Sequence, residues 1–340
     1  MNEPACAPPL IESKAVSKRF VKKLDTAGRI ARGLGADLED ETVHAVDQVS
    51  LSVNKGEVLG LVGESGCGKS TFGRIVAGIL EPTEGIIHYN GEPVSGRNAR
   101  ERKAATLAVQ MIFQDPFASL NPRMRVEEIV GEAPRVHGLV SRAETSDYVD
   151  EVLLKVGLDP LLKRRYPHQF SGGQRQRVGI ARALAVKPRF LVCDESIAAL
   201  DVSIQAQVLN LFMQLREDFD LTYLFISHDL SVVEHISDRV AIMYLGRIVE
   251  EAPTEELFAQ PNHPYTRALL SEVPRLDQRK RDFAPIKGEI PSPLHPPPGC
   301  HFHPRCPHVG PRCSLEIPDL QTISRERLSA CHLNTEAGTR

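Results

Sequence analysis

Residues 63–70 read Gly63-Glu64-Ser65-Gly66-Cys67-Gly68-Lys69-Ser70, a G-x-x-x-x-G-K-S pattern set between the apolar run Val58 to Val62 and a helical pattern from Ser70 to Leu80. Strand, glycine loop and helix in that order are the context in which such a loop binds phosphate. The glycines let backbone N–H groups turn inward around phosphate oxygens, and the opening helix adds the positive end of its dipole. By that chemistry Lys69 pairs with the β- and γ-phosphates, and the hydroxyl of Ser70, followed by Thr71, ligates Mg2+. Cys67 reads as a small filler of the loop, not a nucleophile.

Downstream, Phe190-Leu191-Val192-Cys193-Asp194-Glu195 supplies the matching half, an apolar strand ending in two carboxylates. At a strand end the chain is already turning, so both can face a nucleotide. Asp194 is expected to hold the metal, directly or through water, and Glu195 to polarise the attacking water.

Around these motifs the pattern predicts strands alternating with helices, hence an α/β fold with a mostly parallel sheet covered on both faces. Residues 10–24 read as an edge strand and 25–43 as an exposed loop. Val49, Leu51 and Val53 alternate, Val109 to Phe113 is a compact strand, and 190–193, 223–226 and 240–244 are brief apolar runs, each expected to lead into a helix. Residues 117–187 lack strand runs and form an inserted helical block, with helical spacing at Val126 to Val130, Tyr148 to Val156 and Val178 to Val186. From about residue 253 proline becomes dense, peaking at 291–299, and marks a linker into a small C-terminal module.

Composition bounds the reading. With 41 Lys+Arg against 44 Asp+Glu in 340 residues, the formal charge is −3, so no global positive field points to nucleic acid. No apolar run approaches the ~18 residues of a membrane span. The first residues lack a basic leader and an apolar core, so a cytosolic chain is expected.

Between the two phosphate-site halves lies Phe170-Ser171-Gly172-Gly173-Gln174-Arg175-Gln176-Arg177, running into an Ala/Arg/Leu helix. A Ser-Gly-Gly turn at a helix start is a second anion cradle, which makes sense if it reaches a nucleotide held by another subunit. Ser171, Gly172, Gly173 and Gln174 resemble the signature motif of ATP-binding cassette (ABC) proteins. The resemblance implies a P-loop ABC cassette over 10–252 with the helical subdomain at about 117–187. Gln114 is similar to the Q-loop glutamine that contacts Mg2+ and moves with a membrane subunit. His228 is similar to the switch histidine at the γ-phosphate, Asp201 to the D-loop aspartate that couples two sites, and Phe20 to the aromatic that stacks on adenine. Ser196-Ile197-Ala198-Ala199 departs from the family's usual Pro-Thr-Ser-Ala-like turn, which alters loop stiffness more than chemistry. The implied mechanism is MgATP hydrolysis in a head-to-tail pair, with the γ-phosphate held by Lys69 and His228 of one chain and by Ser171 and Gly173 of the other. Glu195, His228 and Gln114 are then the catalytic residues, and Ser70 and Gln114 hold Mg2+.

The likeness narrows in the tail. Asn262-His263-Pro264-Tyr265-Thr266-Arg267-Ala268-Leu269 and Gly299-Cys300-His301-Phe302-His303-Pro304-Arg305-Cys306-Pro307 resemble the C-terminal extension, here 253–335, of ATP-binding subunits from oligopeptide/dipeptide importers. That group implies a second ATPase subunit, identical or related, two transmembrane permeases, an extracytoplasmic solute-binding protein and a peripheral place on the cytoplasmic face of the membrane. Related importers carry nickel or glutathione.

Besides Cys6, Cys67 and Cys193, four cysteines fall in this tail: Cys300, Cys306, Cys313 and Cys331. In a reducing compartment such a cluster points to metal or redox chemistry over disulfides. Their spacers lack the tight C-x2–4-C knuckles of structural zinc and suit a four-iron (4Fe-4S) cluster, as described for some relatives. His301, His303, His308 and His332 keep mixed Cys/His zinc open, and cofactor-free buried thiols are the third alternative. A soluble, non-transport ABC ATPase and a catalytically idle regulatory subunit are the competing readings. Paired cassettes, long coiled-coil insertions and a zinc arm are missing from the sequence, and Glu195 and His228 are intact.

Overall fold

The computed structural model describes residues 8–35, 40–96, 98–198, 200–271, 288–324 and 326–336; Cys6 and Ala199, named above, lie outside them. The chain opens with β1 (Ile11–Lys22), α1 (Thr26–Gly33), β2 (Glu41–Val53) and β3 (Val58–Val62). After the glycine loop come α2 (Lys69–Val76), β4 (Glu84–Tyr89), β5 (Glu92–Pro93), α3 (Ala99–Ala108) and β6 (Val109–Ile112). The helical block holds α4 (Pro116–Ser119), α5 (Val126–Val136), α6 (Thr145–Lys155) and α7 (Gly172–Leu184). Then follow β7 (Phe190–Asp194), α8 (Val202–Phe219), β8 (Thr222–Ser227), α9 (Leu230–Ile236), β9 (Arg239–Tyr244) and β10 (Arg247–Pro253). The tail adds α10 (Thr254–Ala259), α11 (Pro264–Ser271), β11 (Gln321–Ser324), β12 (Arg327–Ser329) and α12 (Leu333–Glu336).

The larger sheet runs β11-β12-β10-β9-β3-β8-β7-β6, and its β9-β3-β8-β7-β6 block is parallel. Strand alternation explains why these runs are apolar throughout. Val58, Leu191, Cys193, Tyr223, Phe225, Val240 and Ile242 point into one core, shared with the helical block. Leu59, Leu61, Phe190, Val192, Leu224, Ile226, Ala241 and Met243 point into the other, which α2 and the smaller antiparallel sheet close. A parallel sheet buried on both faces needs apolar residues along each strand, which is what β3 presents throughout and β7 presents up to Asp194 at its end.

Three expectations fail for identifiable reasons. Residues 10–24 are not an edge: β1 lies between β2 and β4 in the order β2-β1-β4-β5. β4 escaped because Pro82 and Gly85 read as a helix stop, yet Asn90 and Gly91 (φ 53° and 79°) form the hairpin turn that pairs it with β5. Within 25–43, α1 replaces loop, its first turn closed by Arg29 N–H donating to the Asp25 carbonyl at 3.0 Å. After 240–244 the chain turns back as a hairpin into β10, because Leu245 and Gly246 both take positive φ (41° and 82°). Among the described residues no helix is long and apolar enough to cross a membrane.

Candidate nucleotide-binding site

The glycine loop leaves β3 in the middle of the parallel block and enters α2. Gly68 caps that helix at φ 109° with no side-chain cap, and a Cβ there would lie 2.0 Å from the Ala45 carbonyl oxygen, so only glycine fits. The uncapped N–H groups of α2 therefore remain available to an anion. Lys69, only 4% exposed, donates from Nζ to the carbonyl oxygens of Gly63 (2.7 Å) and Glu64 (3.1 Å). The ammonium is thus strapped across the mouth of the loop. Ser65 and Gly66 are exposed and Thr71 half-buried, while Cys67 is buried with its thiol pushed up by burial, consistent with a filler.

The carboxylate pair comes next to this loop because β7 and β3 flank β8. The Ser70 hydroxyl donates to Asp194 Oδ1 at 2.7 Å, joining the helix start to the end of β7. Burial pushes the Asp194 carboxyl up, and the hydrogen bond from Ser70 opposes it. A cavity of about 430 Å³ lined by Arg74, Phe113, Gln114 and Asp194 opens beside this pair.

Glu195 leaves β7 with a left-handed backbone (φ 44°), a strained conformation for a residue with a side chain. Its N–H donates to the Ile226 carbonyl at 2.9 Å, which holds the residue in place. Gln114 Nε2 donates to Glu195 Oε2 at 2.7 Å, and His228 Nδ1 lies 3.3 Å from Oε1. Three residues from the ends of β6, β7 and β8 therefore meet at one carboxylate.

The remaining expected residues stand apart from this centre. Ser171 caps α7 in a reciprocal box: its hydroxyl accepts the Gln174 N–H at 3.3 Å and its own N–H donates to Gln174 Oε1 at 3.1 Å. Gly173 is buried against Ile204, and Gly172 is half-buried. Asp201 opens α8 exposed, without a side-chain cap bond. Phe20 is 42% exposed on β1, with the Lys18 ammonium 5.4 Å from its ring centroid, so it is not a core residue.

In the tail, Cys300, Cys306, Cys313 and Cys331 line one cavity of about 100 Å³. Gly299 (φ 67°) makes the closure possible, since a Cβ there would lie 2.5 Å from the Cys313 carbonyl oxygen, which accepts the Cys300 N–H at 2.8 Å. Burial and the neighbouring thiols push Cys300 up to about 11. Among the described residues no three His, Cys, Asp or Glu side chains close up as a single-ion site.

Two residues given no role at the site in the sequence reading touch the loop from this tail. Arg305 pairs with the Glu64 carboxylate, and the Tyr265 hydroxyl accepts the Glu64 N–H at 3.0 Å. Their sequence distance of some 200 residues left no local signal. The subfamily motifs containing them were the one available hint.

A phosphate loop at the start of α2, a carboxylate pair at the end of β7 and a capped Ser-Gly-Gly helix start define an ATP-binding cassette ATPase. Comparison with known proteins agrees. The ABC transporter family matches residues 46–198, and the oligopeptide/dipeptide transporter C-terminal region matches 249–313. The chain is 53% identical over 295 residues to the oligopeptide transport ATP-binding protein AppF of Bacillus subtilis, covering 86% of this chain and 90% of that protein. To OppF of Salmonella typhimurium, also an oligopeptide transport ATP-binding protein, identity is 50% over 293 residues, covering 85% and 88%. Among solved structures, the dimeric post-hydrolysis ATP-binding cassette MJ0796 bound to ADP and Pi superposes with a TM-score of 0.60 at 27% identity, covering 72% of this chain and 98% of that one. The chain belongs to the ATP-binding subunits of the oligopeptide/dipeptide group of ABC transporters. It is an ATP-hydrolysing enzyme of that family.

Proposed function

We propose that this chain hydrolyses MgATP to energise uptake of oligopeptides through an importer. Its companions there are a second ATPase subunit, two transmembrane permeases and an extracytoplasmic binding protein, and it sits peripherally on the cytoplasmic face of the membrane. The observation that carries the chemistry is the convergence of Gln114, Glu195 and His228 beside the Ser70–Asp194 pair.

In this reading residues 10–252 form the cassette and 253–335 the extension. Gly63, Glu64, Ser65, Gly66, Cys67, Gly68, Lys69, Ser70 and Thr71 enclose the phosphates, and Phe20 stacks on the base. Lys69 exchanges the carbonyls of Gly63 and Glu64 for phosphate oxygens, a charge-assisted replacement of two neutral acceptors. Ser70, Asp194 and Gln114 are the oxygen donors for Mg2+, which when bound neutralises charge developing on the phosphate oxygens. Glu195 takes the proton of the attacking water, and His228 contacts the γ-phosphate. Ser171, Gly172, Gly173 and Gln174 complete the site of the neighbouring cassette, and Asp201 couples the two. The four tail thiols line one cavity, which supports reading them as the ligands of a 4Fe-4S cluster. Such a group would cross-link a proline-rich module with little core of its own.

Reconstitution of the assembled importer in liposomes tests the assignment. Oligopeptide delivered by the binding protein is expected to stimulate phosphate release and to accumulate inside. Stimulation by nickel or glutathione with none by peptide would overturn the substrate class. Iron and acid-labile sulfide analysis of anaerobically purified chain tests the thiol site.

A further inference from the structure

Glu64 carries a negative charge inside the loop that has to accept a triphosphate. The C-terminal extension seizes it from two sides. Arg305 Nη1 donates to Oε2 at 2.8 Å and Nη2 to Oε1 at 3.0 Å, a fork-to-fork pair whose guanidinium side chain is only 5% exposed. The guanidinium also lies 5.9 Å from the centroid of the Tyr244 ring. From α11, the buried Tyr265 accepts the backbone N–H of Glu64 at 3.0 Å. Its ring is wedged against Tyr244 (4.6 Å between centroids) and Phe302 (5.4 Å). Two separate parts of the extension, α11 and the turn His303–Arg305, thus converge on one loop residue.

An unpaired carboxylate beside a triphosphate repels it, whereas a carboxylate held in a bidentate guanidinium pair presents little net charge. We propose that Arg305 and Tyr265 are positioning residues of the ATP site: Arg305 cancels and anchors the Glu64 charge so that the loop admits the triphosphate, and Tyr265 fixes the loop backbone at residue 64. This rests on the nucleotide site assigned to residues 63–71. It makes the extension part of the ATP site's architecture, in addition to any role toward the permease or a metal.

The test is titration of the full-length chain with MgATP, together with turnover in the assembled importer. Arg305→Met is expected to raise the Kd and KM for MgATP about tenfold with kcat at saturation within about twofold. Arg305→Lys keeps the charge but loses the two-pronged geometry, so its Kd is expected to fall between wild type and Arg305→Met, and adding Glu64→Gln to Arg305→Met recovers most of the lost affinity. Tyr265→Phe removes one oxygen from a packed ring and raises Kd about threefold, an independent check should Arg305→Met fold poorly by circular dichroism. A folded Arg305→Met chain that binds MgATP as wild type does, or a double variant no better than the single one, overturns the proposal while leaving the ATPase reading intact. A wild-type chain that neither binds nor hydrolyses ATP overturns that reading instead.

Discussion

The side-chain amide of Gln114 donates to the carboxylate of Glu195 at 2.7 Å, linking the ends of two neighbouring parallel strands across 81 residues of sequence. The whole helical block lies in that interval, so any shift of the segment after Gln114 bears directly on the carboxylate assigned to water activation. His228, 3.3 Å from the other oxygen, does the same from β8. Glu195 is therefore held by two side chains and by a strained backbone, and its position reports on all three strands.

Glu195→Gln is expected to lower phosphate release by about 10³-fold, the range for removing a general base, while MgATP binding persists. Size-exclusion chromatography with MgATP should then show a trapped pair of cassettes. Turnover within tenfold of wild type would remove Glu195 from its assigned role.

Ser171→Arg places a cation where the signature is expected to meet the nucleotide of the neighbouring cassette. Loss of the α7 cap costs about 1 kcal/mol, which the chain should tolerate. Binding of MgATP to this chain alone is expected to stay within twofold, whereas turnover of the assembled pair falls roughly 100-fold. Equal loss of both would place Ser171 in the site of its own chain.

Glu250 is fully buried and accepts from Arg327, from the Asn262 N–H at 2.8 Å and from the His263 N–H at 2.8 Å, so it ties β10 to β12 and to the start of α11. Arg327→Met strips the counter-charge from that carboxylate. Chemical denaturation should show a loss of about 3–5 kcal/mol. Arg312→Met, which breaks an exposed pair with Glu316, should leave the denaturation midpoint close to wild type.

Burial holds His263 neutral, with a pKa lowered from 6.5 to about 3. Between those values the unfolded chain binds the extra proton, so this contribution to stability is complete above pH 6.5 and lost as pH falls toward 3. The slope reaches about 1.4 kcal/mol per pH unit in the middle of that window. Denaturation midpoints at pH 7.5, 6.0 and 5.0 should fall in that order, and His263→Asn should flatten the series.

The phosphate loop, the Phe190–Glu195 strand and the Ser171–Gln174 helix start were legible because each is a local pattern: a few consecutive residues whose backbone or polarity can serve one local arrangement. The runs of β3, β7 and β8 were legible for the same reason, being buried throughout and apolar except at the ends of β7 and β8. The β4–β5 hairpin and the turn after β9 were missed although Asn90-Gly91 and Gly246 marked them: Pro82 and Gly85 read only as the stop of the preceding helical pattern, and the 240–244 run looks like the others that lead into helices.

Pair contacts across the chain were of another kind. That Gln114 and His228 would close on Glu195, or that Arg305 would reach the phosphate loop from 241 residues away, depends on strand order and on how the tail folds back. By itself the sequence determined which residues can cradle phosphate, carry protons and bind metal, since those properties reside in single side chains and short turns. Only the tertiary structure decided which of them meet, because the β9-β3-β8-β7-β6 order and the aromatic wedge of Tyr244, Tyr265 and Phe302 arise from burying apolar surface over the whole chain.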